Sequence, residues 1–460
     1  MQNNLFFQAA SELDLLAARN MMAISLGFHI VFAAIGIGFP LITLLAHRRG
    51  LKHGDLEALM LAKRWSKAMA VLFAVGAVSG TILSFEMGIL WPGLMGPYGD
   101  VIGLPFTLEG VSFFVEAIFI GIYLYGWKRM PAKWHYRSLY PIAAAGIAGS
   151  FFILSVNSWM NSPEGFTIAA DGSIVDVDPI AAMLNSAVAV QYVHMLLAAY
   201  MSAGFLVAGV YAWAWLRGRR SRIFRLGFTI AFAVGAIAAP IQILVGDFAA
   251  RRLVEAQPAK FAAMELLPET QAGAPFSIGG YLEDGEVRGS IEIPYLGSLL
   301  AEHDPDAVVP GLDSVPEDFR MSDRLATIVH WSFQVMVGIG TALLALSAWF
   351  GWSWWRKRRA PEARLFWWAA SMAGIGAVVA MESGWITTEL GRQPWIAYGF
   401  VRVADAVTAA SGLIWGLVGI TVVYLVLGTF TVIVLKRMAR QFELGEEAPA
   451  PYAPPVEQST

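Results

Sequence analysis

Nine acidic or imidazole side chains of this sequence stand inside long apolar stretches, where an unpaired charge is costly. Such residues are candidates for function, because an apolar surrounding tolerates them only with a partner or a task. Imidazole nitrogen, carboxylate oxygen and methionine sulfur are all donors that iron accepts, so the group indicates metal, redox or proton chemistry. The nine residues are His29, Glu86, Glu109, Glu116, His194, Asp247, His330, Glu382 and Glu389.

The sequence contains no cysteine. This excludes iron–sulfur ligation, thioether-attached haem, disulfides and thiol chemistry. Any metal or redox cofactor must therefore be held by His, Met, Asp or Glu.

The candidate ligands share a depth. At 1.5 Å per residue, His29 lies about 13 Å into an apolar stretch that begins near Asn20. His194 lies about as deep in its own stretch, Met336 lies slightly deeper, and Glu389 closes a further stretch at the same end. We therefore expect these side chains to gather in one half of the membrane.

Two kinds of haem site would suit these residues. His194 opposite Met336 would make a six-coordinate, low-spin centre for electron transfer, whereas His29 and Glu389 each lack a second ligand and suit five-coordinate centres that can bind a gas. The alternatives are ordinary: a buried His that joins helices by a hydrogen bond, and a Met that only fills the core.

Glu109 and Glu116 are seven residues apart and hence lie on one face of a helix. They would form a proton path or pair with other buried polar groups.

The elements that position these residues follow from composition. The 460 residues are 57% hydrophobic and only 15% charged, whereas a soluble chain has about a quarter charged residues. Apolar stretches of about 18 residues or more predict spanning helices. We predict nine, at residues 20–46, 68–90, 106–127, 139–160, 184–216, 223–248, 325–352, 365–390 and 406–435.

The distribution of charge predicts the orientation. Loops after the first, third, fifth and seventh spans, with the tail, contain 23 of the 32 lysines and arginines, whereas segments 91–105 and 161–183 contain none. Basic loops stay in the cytoplasm. The prediction is an all-α integral membrane protein with a periplasmic N-terminus and a cytoplasmic C-terminus. The first 20 residues lack the pattern of a cleavable signal peptide.

The chain divides into four predicted parts: spans one to six (1–248), a polar loop (249–324), spans seven to nine (325–435) and a disordered, Pro- and Glu-rich cytoplasmic tail (436–460). A loop of that length is functional or disordered. Asp284-Gly285 predicts a hairpin within 281–293, and Asp171-Gly172 predicts another turn.

Five motifs resemble one known family in its own order. Gly391-Arg-Gln-Pro-Trp395, preceded by Glu382-Ser-Gly-Trp385 and Glu389, resembles the signature of subunit I of the cytochrome bd quinol oxidases. Gly27-Phe-His29 resembles the histidine of that family's high-spin haem. Gln191-Tyr-Val-His194 and Phe333-Gln-Val-Met336 resemble the two ligands of its low-spin haem. Gln257-Pro-Ala-Lys260 through Glu265 resembles its quinol-binding loop, in a short form.

The resemblance implies a role for each residue. Quinol would bind at Lys260 and Glu265, and its electrons would pass through a low-spin haem b on His194 and Met336 to high-spin haems on His29 and Glu389, where dioxygen is reduced to water. Arg392 would neutralise haem propionates and Trp385 would pack between cofactors, with structural roles for both equally open. Glu109 and Glu116 would carry protons, and charge separation would contribute to the proton motive force.

The resemblance also implies cofactors, partners and location. It implies two haem b and one haem d, with a third haem b as the alternative to haem d. A second large membrane subunit and a small single-helix subunit would be partners in the bacterial inner membrane, with no nucleic acid involved. Two departures stand out: Gln334 replaces a frequent Arg, and the glutamates of the third span are seven instead of eight residues apart.

Two other functions remain open from the residues. An ion- or proton-coupled transporter would use the buried carboxylates, although the inverted repeats of many such folds are not evident. A haem b quinone oxidoreductase would use the same ligands without reducing dioxygen.

Overall fold

The computed structural model describes residues 11–443, and in that range nine helices are long and apolar enough to cross a membrane. This confirms the predicted all-α membrane class. The nine helices are α1 (Glu12–His53), α2 (Leu56–Leu90), α3 (Pro92–Gly126), α5 (Leu139–Asn161), α7 (Val188–Leu216), α8 (Arg222–Ala256), α11 (Asp323–Lys357), α12 (Arg364–Leu390) and α14 (Leu413–Glu443).

Several helices extend beyond the predicted spans. α1 begins at Glu12 because the Ser11 side chain accepts a hydrogen bond from the Asp14 amide and so caps the helix. Segment 92–105, which lies between two predicted spans, is the first part of α3, with Pro92 in the first turn, where its missing N–H costs nothing. α8 likewise extends to Ala256, into the expected loop.

The predicted tail also begins later than expected. α14 continues to Glu443, so residues 436–443 are helical. The rest of the tail, 444–460, and residues 1–10 lie outside the described residues.

The connections contain five short helices and five antiparallel strand pairs. Strands β5 (Tyr281–Glu283) and β6 (Glu286–Arg288) pair around Asp284 and Gly285, both with positive φ, which confirms the predicted hairpin. β1 and β2 pair around the predicted Asp171-Gly172 turn. The helices are α4 (Ala132–Arg137), α6 (Pro179–Met183), α9 (Pro258–Glu265), α10 (Leu296–Glu302) and α13 (Val403–Ala406). The strands are β1 (Thr167–Ile168), β2 (Ile174–Val175), β3 (Gln271–Ala272), β4 (Phe276–Ile278), β5 (Tyr281–Glu283), β6 (Glu286–Arg288), β7 (Ile291–Ile293), β8 (Val308–Val309), β9 (Trp395–Ala397) and β10 (Val401–Arg402), and the other pairs are β3 with β8, β4 with β7 and β9 with β10.

The two ends of the bundle differ in charge. We call the end that carries segment 257–322 the loop side, and the opposite end, where α1 meets α2 and α7 meets α8, the basic side. On the basic side Asp55 caps α2 and accepts hydrogen bonds from Arg222 (2.5 Å) and Arg49 (2.9 Å). The Arg222 guanidinium, above all, holds the pKa of the Asp55 carboxyl well below its usual range.

The largest apolar core lies in the basic-side half of the bundle, between α1, α2, α7, α8 and α12. Glycines allow close helix contacts there: Gly204 of α7 lies against the backbone of α8 at Gly235, and Gly374 of α12 lies against the backbone of Leu206. Smaller apolar clusters occupy the loop-side half. The candidate site residues lie mainly among these smaller clusters.

Candidate functional site

His194 and Met336 stand on helices that flank the same two neighbours. α7 and α11 each pack against α8 and α12, while direct contacts between α7 and α11 are at most marginal in the described residues. The His194 ring packs against α8, where its Nε2 lies 3.2 Å from Nε2 of Gln242. The Met336 side chain packs against α12, where a Cβ added to Gly384 would come within 2.8 Å of its sulfur.

The polar atoms around His194 are incompletely satisfied. Its Nδ1 and the Oε1 of Gln242 are both buried without a hydrogen-bond partner. A Cβ added to Gly246 would lie 3.2 Å from the imidazole Cε1, so the glycine leaves room for the ring. Because unpartnered buried polar atoms are costly, the ring fits a site that is completed by a bound group.

His29 of α1 is held against α2 by a hydrogen bond with Ser79. Its Nδ1 lies 3.0 Å from the Ser79 hydroxyl, which itself donates to the Val75 carbonyl. With the hydroxyl proton donated to that carbonyl, the ring Nδ1–H donates to Ser79 and Nε2 keeps its lone pair. Nε2 is then free to bind a metal, as ring nitrogens do when the other nitrogen is anchored.

Glu389 is held from two sides at the end of α12. Its Oε1 accepts a hydrogen bond from Asn157 Nδ2 at 2.7 Å, and its Oε2 accepts one from Arg392 Nη2 at 2.6 Å. Each carboxylate oxygen retains a lone pair for a metal. The Arg392 side chain is only 2% exposed, and its Nε and Nη1 have no hydrogen-bond partner. A buried guanidinium with unused N–H groups fits a bound anion such as a propionate.

Lys260 of α9 belongs to the same polar network. Its Nζ donates to Asn161 Oδ1 at 2.8 Å, and Asn161 Nδ2 donates to the Asn157 carbonyl at 2.9 Å. The end of α5 therefore links the loop lysine to Glu389. Burial, and then the positive charge of Arg392, lower the pKa of Lys260 to about 7.

Glu265 lies on another face of α9. Five residues of helix rotate the side chain by about 140° from Lys260, and its Oε2 is buried without a partner. Burial raises the pKa of Glu265 to about 7. Lys260 is 3% exposed and Glu265 5% exposed, so the structure covers both predicted quinol-binding residues.

Glu109 and Glu116 lie on α3, a different helix from those of His29, His194, Met336 and Glu389. Glu116 lies where α3 meets α5 and α1, since a Cβ added to Gly146 would be 3.8 Å from both its Oε1 and the Cα of Ile37. The two carboxyls are close enough to interact electrostatically. Ile37 lies two turns beyond His29 towards the basic side, so Glu116 is nearer to that side than His29 is.

Trp385 packs in a small apolar cluster of α1, α7 and α12, with Ile30 and Ala199 among its members. Its indole N–H is buried and unpartnered. Glu382, one turn earlier, has an unpartnered Oε1 and lies beside Gly27 of α1. These contacts bring the helices of His29, His194 and Glu389 together.

Four polar residues of this region were missed from the sequence. Ser79 and Gln242 hold imidazoles, and Asn157 and Asn161 connect Glu389 with Lys260. The three amides among them could have been found in the sequence, because an uncharged amide inside an apolar stretch also needs a hydrogen-bond partner. By contrast, both ring nitrogens of His330 face backbone carbonyls of the loop, so this histidine joins the loop to α11.

Comparison with known proteins gives consistent matches. The family model for cytochrome bd terminal oxidase subunit I matches residues 17–443. A Bacillus subtilis protein provisionally described as a cytochrome bd menaquinol oxidase subunit I is 36% identical, over 94% of this chain and 98% of that protein. A second Bacillus subtilis protein, a cytochrome bd ubiquinol oxidase subunit 1, is 30% identical over 92% and 93%. The structure of the bd oxidase from Geobacillus thermodenitrificans superposes with a TM-score of 0.85 at 37% identity, over 93% of this chain and 98% of that one.

Proposed function

This chain belongs to the cytochrome bd terminal oxidase subunit I family, and on that premise we propose that it oxidises quinol at the loop side and passes the electrons on to dioxygen. It is a multi-pass membrane protein and a quinol oxidoreductase that functions with a subunit II. The observation that carries the proposal is the single polar network in which Lys260 of the loop and Glu389 of the bundle both take part.

The donor set fits haem. His194 with Met336, His29 alone and Glu389 alone would hold three haems, two of type b and one of type d or b. Bound haem would supply one-electron transfer and an open iron position for dioxygen. Single protein ligands in separate places are the donors that a porphyrin needs, because the macrocycle supplies the others.

The surrounding residues orient those ligands. Ser79 fixes the tautomer of His29, and Gln242 restricts the ring of His194. Asn157 and Arg392 fix both oxygens of Glu389. The free N–H groups of Arg392 would neutralise a propionate, and Trp385 would fill the space between cofactors.

The loop residues would manage the protons of quinol. A lysine and a carboxyl that both titrate near neutral pH can each accept a proton from an oxidised hydroxyl. Because both side chains are covered, quinol reaches them only when α9 or its neighbours shift. The near-neutral pKa values and the polar link to Glu389 support this role.

Protons for water formation would come from the other side. The basic side carries most lysines and arginines and is therefore the cytoplasmic side under the positive-inside rule. Glu116 lies between that side and the level of His29, and Glu109 lies about 10 Å further along α3 towards the loop side. Electrons entering from the loop side and protons from the basic side would separate charge across the membrane without a pump.

Absorption spectra of the purified, reduced complex test the proposal. We expect low-spin and high-spin haem bands, and carbon monoxide should shift only the high-spin bands. A complex without haem bands would leave the transporter as the better function. Haem bands that carbon monoxide does not change would indicate a quinone oxidoreductase that does not meet dioxygen. A small single-helix subunit should co-purify.

Loop variants test the quinol site. Lys260→Ala and Glu265→Ala should each reduce quinol oxidation while the full haem spectrum remains. Glu286→Ala, which removes an exposed carboxyl from the same loop, is the matched control and should retain activity. Wild-type rates in both test variants would place quinol elsewhere.

A further inference from the structure

Glu86 of α2 is a buried carboxyl that the proposed function does not use. Its side chain is 7% exposed, and both carboxyl oxygens are buried without a hydrogen-bond partner. The hydroxyls of Ser25 on α1 and Tyr424 on α14 are also buried and unpartnered. The three side chains are close enough to interact with one another. Three unpartnered polar groups from three helices thus meet in one apolar place.

The surroundings contain no compensating positive charge. No ion pair in the described residues includes Glu86, and the Phe28 ring closes the cluster by stacking on Tyr424, with ring centroids 4.6 Å apart. The titratable groups on the helices packed against this part of α2 are His29 on α1 and Tyr424 itself. On α3, Asp100 is exposed and Tyr98 packs against aromatic rings of α5 and the following loop.

In the interface between α1 and α2, the cluster lies one to two helical turns from His29. Ser25 precedes His29 by one helical turn, or about 6 Å along the axis, and Glu86 follows Ser79 by two turns, or about 10 Å. Ser25 and Glu86 therefore lie between the same two helices as His29 and Ser79, one to two helical turns further along. Glu86 is close to His29 without touching it.

We propose that Glu86 is a proton-binding site coupled to the redox centre that His29 would hold. This inference rests on the proposed function. A carboxyl with no cation nearby is neutral unless a positive charge compensates its ionised form. An oxidised, positively charged iron at His29 would be that charge. Glu86 would be ionised while that charge is present, would bind one proton from water once an electron from quinol has neutralised it, and would return the proton to water when the electron leaves.

The two hydroxyls make both states of the carboxyl tolerable. Ser25 and Tyr424 can each donate to an ionised carboxylate and accept from a protonated one. Rotations of the three side chains would form these hydrogen bonds. The site would compensate the charge of electrons that arrive next to it.

The test uses the whole oxidase complex with Glu86→Gln, which keeps the shape but does not titrate. In the wild type, the midpoint potential of the high-spin centre at His29 should fall as pH rises, and redox infrared difference spectra should contain a carboxyl C=O band. Glu86→Gln should flatten that pH dependence and remove that band. Tyr424→Phe should shift the band without removing it. Glu255→Gln, an exposed carboxyl at the end of α8, is the control and should behave like the wild type.

Two results would overturn the inference: an unchanged pH slope and infrared band in Glu86→Gln, or loss of the His29 haem in that variant, which would make Glu86 structural. Infrared spectra of the complex at two pH values separate this inference from the proposed function. They report whether Glu86 carries an exchangeable proton even in a complex without haem bands. Absence of haem would reject the function, and absence of a Glu86 signal would reject the site.

Discussion

Particular glycines of the basic-side and loop-side halves of the bundle contact different kinds of atoms. In the basic-side half, Gly204 and Gly374 let helix backbones touch each other. In the loop-side half, glycines make room for candidate functional side chains: Gly80 for His29, Gly246 for His194, Gly384 for Met336 and Gly391 for Lys260. These glycines allow close helix packing in one half and leave room for the proposed site residues in the other.

Buried polar atoms follow the same division. The described residues with unpartnered buried polar atoms lie mostly in the loop-side half, and they include Ser25, Glu86, His194, Gln242, Gln257, Glu265, Glu382, Trp385, Arg392 and Tyr424. Native proteins leave few such atoms. The basic-side half is therefore largely satisfied by its own contacts, whereas under the proposed function the loop-side half would be completed by cofactors, substrate and protons.

The largest effect on stability is expected when a large side chain is added to the tightly packed basic-side half. Gly374→Leu would drive a side chain into the backbone of Leu206, so we expect a cost of about 3 kcal/mol or more and little folded complex. Gly351→Leu adds the same volume where nothing lies within 4 Å and should be tolerated. Yield and thermal unfolding of the two purified complexes measure the difference. A stable Gly374→Leu complex would contradict the assignment of this half as a tightly packed scaffold.

A ligand change in the loop-side half should leave the fold intact. Met336→Leu keeps the volume, and we expect a stability change below about 1.5 kcal/mol. Removal of the sulfur should abolish or shift the low-spin bands and stop turnover, while the high-spin bands survive. Met372→Leu, on an exposed part of α12, is the control. An unchanged low-spin spectrum and midpoint potential would reject Met336 as a ligand.

Glu116 should show a kinetic effect without a cofactor effect. Glu116→Gln can still form hydrogen bonds but does not ionise, so turnover should fall about tenfold or more while haems and quinol affinity are retained. Oxygen consumption and membrane potential in vesicles measure it, with the exposed Glu317→Gln as control. Loss of a haem would make Glu116 a ligand or a structural residue, and normal turnover with normal charge separation would make it a bystander.

The smallest effect concerns the pH dependence of the loop. Glu265, with its pKa raised to about 7, binds more protons folded than unfolded between its usual pKa of 4.5 and pH 7, so the packing of α9 weakens as pH rises. Lys260, with its pKa lowered from 10.5 to about 7, binds fewer protons when folded, so the packing strengthens from pH 7 upwards. Opening of α9 should therefore be greatest near pH 7.

Hydrogen exchange of α9 amides across this pH range measures the opening. Glu265→Gln should remove the change below pH 7, and Lys260→Met should remove the change above it. Each rate is compared with the intrinsic rate of an unprotected amide at the same pH, because base catalysis alone accelerates exchange. A protection factor that does not change with pH in the wild type would show that the two side chains are not buried as described.

Most of the fold was predictable from the sequence because crossing a membrane imposes a requirement of length and apolarity on each helix separately. The nine spans follow from that requirement, and so do the candidate residues, because an ionisable side chain is conspicuous among apolar ones. The helical segment 92–105 was missed because Gly and Pro usually indicate a loop, a local rule that tertiary packing against Trp159 and Ile396 overrode.

Only the tertiary structure decided which candidates share a site. Lys260 and Glu389 are far apart in the sequence, and they are joined by two asparagines of a third helix. Glu86 meets Ser25 and Tyr424 across three helices. Such contacts depend on how each helix is rotated about its axis, and apolarity does not reveal that rotation when lipid and protein interior are equally apolar. The sequence determines the chemistry of each single residue, and helix packing determines which residues come together in one site.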